Sequence, residues 1–135
     1  LGLAQFHRIE ELVGIQRKHL EYYRNNLSDL KISFNHEPSN VYNSAWITAA
    51  VIDPSYNIDK NSLIQELSKI GIPARPFFYP LTSIPAFDMY SEKEQKEKNP
   101  VSYDVSSRGI NLPGAANLTE SQLKLICDGI REVLT

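Results

Sequence analysis

The run S-A-W-I-T-A-A-V-I-D-P-S-Y-N-I-D-K-N-S-L-I-Q-E-L-S-K-I-G-I-P-A-R-P-F-F-Y-P-L, Ser44 to Leu81, decides the fold. Its first nine residues, Ser44–Ile52, are almost continuously apolar and β-branched. They are bounded by Asn43 and Asp53-Pro54, the pattern of a strand buried on both faces. Asp53–Asn57 then reads as a turn. Asp59 is a good N-cap for a helix that runs to Ile70 with Leu63, Ile64, Leu67 and Ile70 on its buried face. Gly71 supplies a left-handed C′ position and Pro73 closes the stop signal. A second extended segment follows, so the run predicts strand, helix and strand in sequence.

The second extended segment opens a proline-framed stretch, Gly71 to Tyr90. It holds four of the chain's eight prolines and three of its five phenylalanines. Pro76 and Pro80 bracket residues that cannot form a fully paired central strand, because proline has no N–H to donate. Phe77-Phe78-Tyr79 places rings on both faces of the segment, with one phenylalanine expected in the core, and Arg75 is the cation at its start. Two readings fit this spacing: a rigid surface shaped for a ligand or partner, and a hydrophobic edge strand with a proline turn.

Upstream, apolar and semi-polar positions step 3, 4, 3, 4 through Phe6, Ile9, Val13, Gln16, Leu20, Tyr23 and Leu27, which predicts one long helix from about residue 3 to 26. Gly14 costs about 1 kcal/mol there relative to alanine, so a close backbone neighbour is expected. The chain opens in helical pattern without a cap, as a piece of a longer polypeptide would. Downstream, Ser91–Asn99 is a mixed-charge run suited to a solvated loop or short helix. Pro100 can open a helix, and Gly109–Gly114 reads as a short strand ended by Pro-Gly. Thr119 and Gln122 form a capping box for a last helix, 120–134, with Leu118 and Leu123 at the staple positions. Three strands among helices predict an α/β (α+β) two-layer sandwich, with the opening helix followed by a core from about residue 41 to 135.

The totals limit the function. A chain of 135 residues can bury about 70% of its unfolded surface as one domain. A net charge of −2 with interspersed signs gives no electrostatic footprint for nucleic acid or an anionic membrane. The one cysteine, Cys127, excludes an intrachain disulfide and suits a reducing compartment as a buried thiol. No run is long enough to span a membrane. His7, His19 and His36 have no partners at ligand spacing, so no metal is expected. Phosphate-loop, dinucleotide, zinc-protease and nucleophile-elbow motifs are all absent.

The order of the signals is more specific. L-G-L-A-Q-F-H-R-I-E-E-L, N-S-A-W-I-T-A-A-V-I-D, L-I-Q-E-L-S-K-I-G-I-P-A-R-P-F-F-Y-P-L-T-S-I-P-A-F and S-S-R-G-I-N-L-P-G-A-A-N-L-T-E-S-Q-L-K-L-I-C-D-G-I-R-E-V-L follow one another along the whole chain. This series resembles the C-terminal small domain of the DegT/DnrJ/EryC1/StrS family, the pyridoxal-phosphate-dependent sugar aminotransferases. R-P-F-F-Y-P-L and R-G-I-N-L-P look most like the branch that includes GDP-perosamine synthases.

The resemblance implies a cytoplasmic parent enzyme, a homodimer, that aminates a nucleotide-linked keto-deoxy sugar of the GDP-4-keto-6-deoxymannose type with glutamate as donor. It also implies that the Schiff-base lysine and the aspartate facing the pyridinium nitrogen lie upstream of Leu1. No catalytic, cofactor-binding or metal residue is therefore expected within the chain. The family's substrate-side positions fall on Arg75, Phe77, Phe78, Tyr79 and Thr82, with Arg75, Phe78, Tyr79 and Thr82 as the binding candidates. Arg75 suits a phosphate or carboxylate by its bidentate geometry. Many members have histidine where Thr82 stands, a departure at that polar contact. Arg108 and Asn111 form a second tier. The alternative function is a stand-alone small-molecule-binding or regulatory α/β domain.

Overall fold

The computed structural model describes residues 2–87, 89 and 92–135. Its elements in order are α1 (Gly2–Phe6), α2 (Ile9–Asn26), β1 (Ile32–Phe34), β2 (Thr48–Ile52), α3 (Lys60–Lys69), β3 (Arg75–Pro76), α4 (Glu92–Lys98), α5 (Pro100–Arg108), β4 (Gly109–Leu112) and α6 (Glu120–Leu134). Short 3-10 turns cover Pro54–Tyr56, Leu81–Ser83 and Pro85–Phe87. Tyr90 and Ser91, at the junction of the proline-framed stretch and the charged run, lie outside the described residues.

The sheet has four strands in the order β1-β2-β4-β3, with every neighbouring pair antiparallel. β2, α3 and β3 do follow one another, but β4 inserts between the two strands, so the unit is a split β-α-β. α2, α3 and α6 line one face of the sheet, as a two-layer architecture requires. Alternation puts Ala50, Ile52, Ile110 and Leu112 on that face, where they meet Tyr23 of α2 and Leu27 just after it, Leu63 and Leu67 of α3, and Ile126, Cys127 and Ile130 of α6. Burial pushes the Cys127 thiol up to about 11, the behaviour of a packed and unreactive sulfur.

Local chemistry fixes the helix ends as expected. The Asp59 carboxylate accepts from the Asn61 and Ser62 N–H groups, and Gly71 adopts φ +81 after α3. Pro100 is the first residue of α5, and Thr119 and Gln122 close the capping box of α6. Leu118 packs against the core that includes Leu123.

Five expectations change. The long helix is broken: Arg8 leaves helical geometry at φ −111, ψ 12 and folds its guanidinium onto Glu11 at 2.7 Å. Gly14 faces open space: a Cβ at that position would meet nothing within 4 Å, so no neighbouring backbone approaches it. Ile70 lies just past α3 and stays 45% exposed rather than joining the buried face. A fourth strand, β1, lies in the polar stretch after α2, so the sheet begins at Ile32; three residues are too few to carry a periodic signal. The first strand starts at Thr48 and not at Ser44. Asn43 Oδ1 accepts the Ala45 N–H at 2.8 Å, and Ala45 takes φ +51, which turns the chain out of the ladder.

Candidate functional site

The face of the sheet opposite α2, α3 and α6 is built from two rows. Register places Ala49, Asn111 and Arg75 side by side across β2, β4 and β3. The next row is Val51 and Gly109, extended by Phe77, whose N–H donates to the Gly109 carbonyl at 3.0 Å. β3 is an edge strand of two residues, which is what Pro76 permits. Gly109 is required by contact: a Cβ there would stand 2.7 Å from the Val105 carbonyl oxygen and 2.8 Å from Phe77 Cβ.

Beyond β3 the two rings part, but neither joins the core as expected, because Phe77 falls in the row of Val51 and Gly109 on the face opposite it. Phe77 turns onto Gly109, while Phe78 is 59% exposed and meets it edge-on at 5.7 Å. Phe78 also stacks with Trp46, centroids 6.3 Å apart and planes 26° from parallel. Trp46 is itself 68% exposed, because the turn at Ala45 lifts it off the sheet. Trp46, Arg75 and Asn111 line a cleft of about 260 Å³ together with Pro73, Pro113 and Gly114. Asn111 donates to the Pro76 carbonyl at 3.2 Å, and its buried Oδ1 has no partner among the described residues.

Arg75 is electrostatically distinct. Of the chain's six arginines, Arg8, Arg17, Arg108 and Arg131 pair with carboxylates and Arg24 donates to the Asn35 carbonyl. Among the described residues Arg75 alone has an exposed guanidinium with no such partner.

Tyr79 and Thr82 lie farther along the loop. Tyr79 is 58% exposed, and the Lys60 ammonium sits 4.3 Å from its ring centroid. The Thr82 hydroxyl is 2.9 Å from the Tyr103 hydroxyl, which ties the loop to α5. The structure thus places Arg75 in one cleft with Trp46, on which Phe78 stacks, sets Tyr79 beside Lys60, and gives Thr82 an internal partner. Arg108 is engaged by Asp104 and donates to the Ile52 carbonyl at 2.5 Å. Trp46, Lys60 and Tyr103 were not among the expected site residues. The apolar run hid Trp46, although Asn43-Ser44 before it is a turn signal. Lys60 at the first position of a helix runs against the macrodipole, a signal of its own.

No lysine lines the cleft with Arg75, and the buried Lys60 spends its ammonium on Tyr79 and on the Ser106 carbonyl. The residues of the cleft therefore do not by themselves make a site for an aldehyde cofactor held as an imine.

The profile described as the DegT/DnrJ/EryC1/StrS aminotransferase family matches residues 1–131. A GDP-perosamine synthase of Vibrio cholerae is 33% identical over 131 residues, 97% of this chain and 35% of that protein. One of Escherichia coli O157:H7 is 31% identical over 132 residues, 98% of this chain and 34% of that protein. Among solved structures, DesI in the presence of its TDP-sugar product superposes with a TM-score of 0.87 at 18% identity, covering all of this chain and 34% of its own. The chain spans about a third of the length of the curated relatives it matches. With the profile matching nearly every residue, the chain belongs to the DegT/DnrJ/EryC1/StrS aminotransferase family.

Proposed function

We propose that this chain is the C-terminal, substrate-side domain of a pyridoxal-phosphate-dependent aminotransferase acting on a nucleotide-linked keto-deoxy sugar of the GDP-4-keto-6-deoxymannose type. The observation that carries the reading is the unpaired, exposed guanidinium of Arg75 on the sheet face opposite α2, α3 and α6, in one cleft with Trp46, on which Phe78 stacks. An arginine left without a carboxylate beside exposed rings suits a ligand that brings both an anion and a flat or apolar surface. A nucleotide sugar has both. Glutamate, the proposed amino donor, offers carboxylates to the same cation.

The cofactor would supply the electron sink and carry the amino group, with its imine lysine on residues outside this chain. The work of this chain is to bind and orient. In this reading Arg75 holds an anionic group, Phe78 and Trp46 exclude water from one side, and the Tyr79 hydroxyl meets a sugar oxygen. The parent enzyme is proposed to be a cytoplasmic homodimer.

The test is steady-state kinetics of the full-length enzyme carrying Arg75→Ala. A charged hydrogen bond contributes about 1.5–3 kcal/mol, so KM for the nucleotide sugar or for glutamate should rise about ten- to a hundredfold. Arg75→Lys, a point charge without the fork, should recover only part of the loss. Unchanged KM values for both substrates in the folded variant would overturn the reading.

A further inference from the structure

Lys60 is placed against the usual rules for a lysine. It is the first residue of α3, where the helix dipole disfavours a cation, yet it is only 7% exposed. No carboxylate pairs with it among the described residues. Its ammonium has two partners. It donates at 2.6 Å to the carbonyl of Ser106, in the last turn of α5, where carbonyls have no helical N–H. It also sits 4.3 Å from the centroid of the Tyr79 ring. Burial holds its pKa below the ordinary lysine value, so the ammonium is desolvated without a compensating acid. A methionine there would avoid that penalty, which means stability alone does not explain the residue.

What Lys60 does accomplish is geometric. The ladder of the β3 edge ends at the Phe77 N–H, two residues before Tyr79. Among the described residues the Tyr79 hydroxyl makes no hydrogen bond, and its ring has no polar tie except the Lys60 cation. The next anchor is Thr82 on Tyr103. Lys60 thus joins the start of α3, the end of α5 and the middle of the aromatic loop at one point.

We propose that Lys60 is a positioning residue that fixes the Tyr79 ring, and through it the Phe78–Tyr79 wall, for the sugar substrate. This rests on the reading of the loop as a substrate wall given above. A lysine that merely capped α5 would leave substrate recognition untouched.

The experiment uses the full-length enzyme with GDP-4-keto-6-deoxymannose and glutamate, comparing Arg75→Ala, Lys60→Met, Lys60→Arg and Tyr79→Leu. Lys60→Met is expected to raise KM for the sugar nucleotide about tenfold, between the sizes of an exposed and a desolvated cation–π contact, with kcat and the glutamate KM within about twofold. Lys60→Arg, which can stack on the ring and donate to Ser106, should return KM to within about twofold of the parent. Added to Tyr79→Leu, Lys60→Met should change KM no further. Without substrate, the bonds of residues 77–87 should become more sensitive to protease in Lys60→Met than in Lys60→Arg. If Lys60→Met does not fold, Lys60→Gln keeps the donor to Ser106, loses the charge over Tyr79, and should show the same rise in KM. An unchanged KM in the Lys60 variants, with Arg75→Ala still impaired, overturns this inference alone. A flat response to Arg75→Ala as well overturns the substrate-wall reading and this inference with it.

Discussion

His19 is buried in α2 and its Nδ1 has no partner among the described residues. Burial holds its pKa below the ordinary histidine value, so the folded state keeps the ring neutral while the unfolded chain protonates it. The sign follows: as pH falls below about 6.5 the unfolded state binds the extra proton, and stability declines by up to about 1.4 kcal/mol per pH unit until the folded pKa is reached. Melting curves between pH 7.5 and 5.5 should show the decline, and His19→Leu should flatten it. A second decline belongs at lower pH, where Asp29, Glu37 and Asp104 lose the charge that their arginines stabilise. Their pKa values are lowered by those partners, so that contribution is present at neutral pH and lost as they protonate. Gly109 gives a steric test. Gly109→Ala drives a methyl into a backbone carbonyl and the Phe77 stem, and should cost about 1–3 kcal/mol in urea unfolding. At this scale the sequence offered Arg75, Phe78, Tyr79 and Thr82 as candidates through residue type and motif. It misread Trp46, because one apolar ring in an apolar run looks the same whether the backbone continues or turns at the residue before it.

Elements were legible where their ends carry chemistry. α3 and α6 have side-chain caps, and their limits in the structure lie within a residue of those expected. Thr119→Ala removes the acceptor for the Gln122 N–H and should destabilise the chain by about 1 kcal/mol, read by thermal or urea denaturation. No change would mean that packing of Leu123, Ile126 and Ile130 alone sets the start of α6. Elements were less legible where the ends carry nothing. The break at His7–Arg8 has no cap, and the heptad-like stripe continues through it. β1 is three residues held by pairing with β2 and leaves no pattern of its own. The two residues of β3 are likewise defined by β4 rather than by their own alternation.

For the whole molecule, the open face makes a prediction that needs no substrate. Trp46 is the chain's single tryptophan, so its fluorescence reports this face directly. In the 135-residue chain its emission should resemble that of tryptophan in water and be readily quenched by acrylamide. A blue-shifted, quencher-resistant emission would contradict the exposed placement beside Phe78. The sequence by itself determined the caps, the amphipathic faces, the exclusion of the proline-bearing segment from the centre of the sheet and the order of elements that marks the family. All of these are written in residues within a turn or two of each other. The tertiary structure alone decided that β4 lies between β2 and β3, that Asn111 stands beside Arg75, that Trp46 rests on Phe78, and that Lys60 reaches Tyr79. Periodicity states which side of an element is buried but not which element it meets. Those meetings are set by the collective burial of one core across wide sequence separations, and the candidate site is made of them.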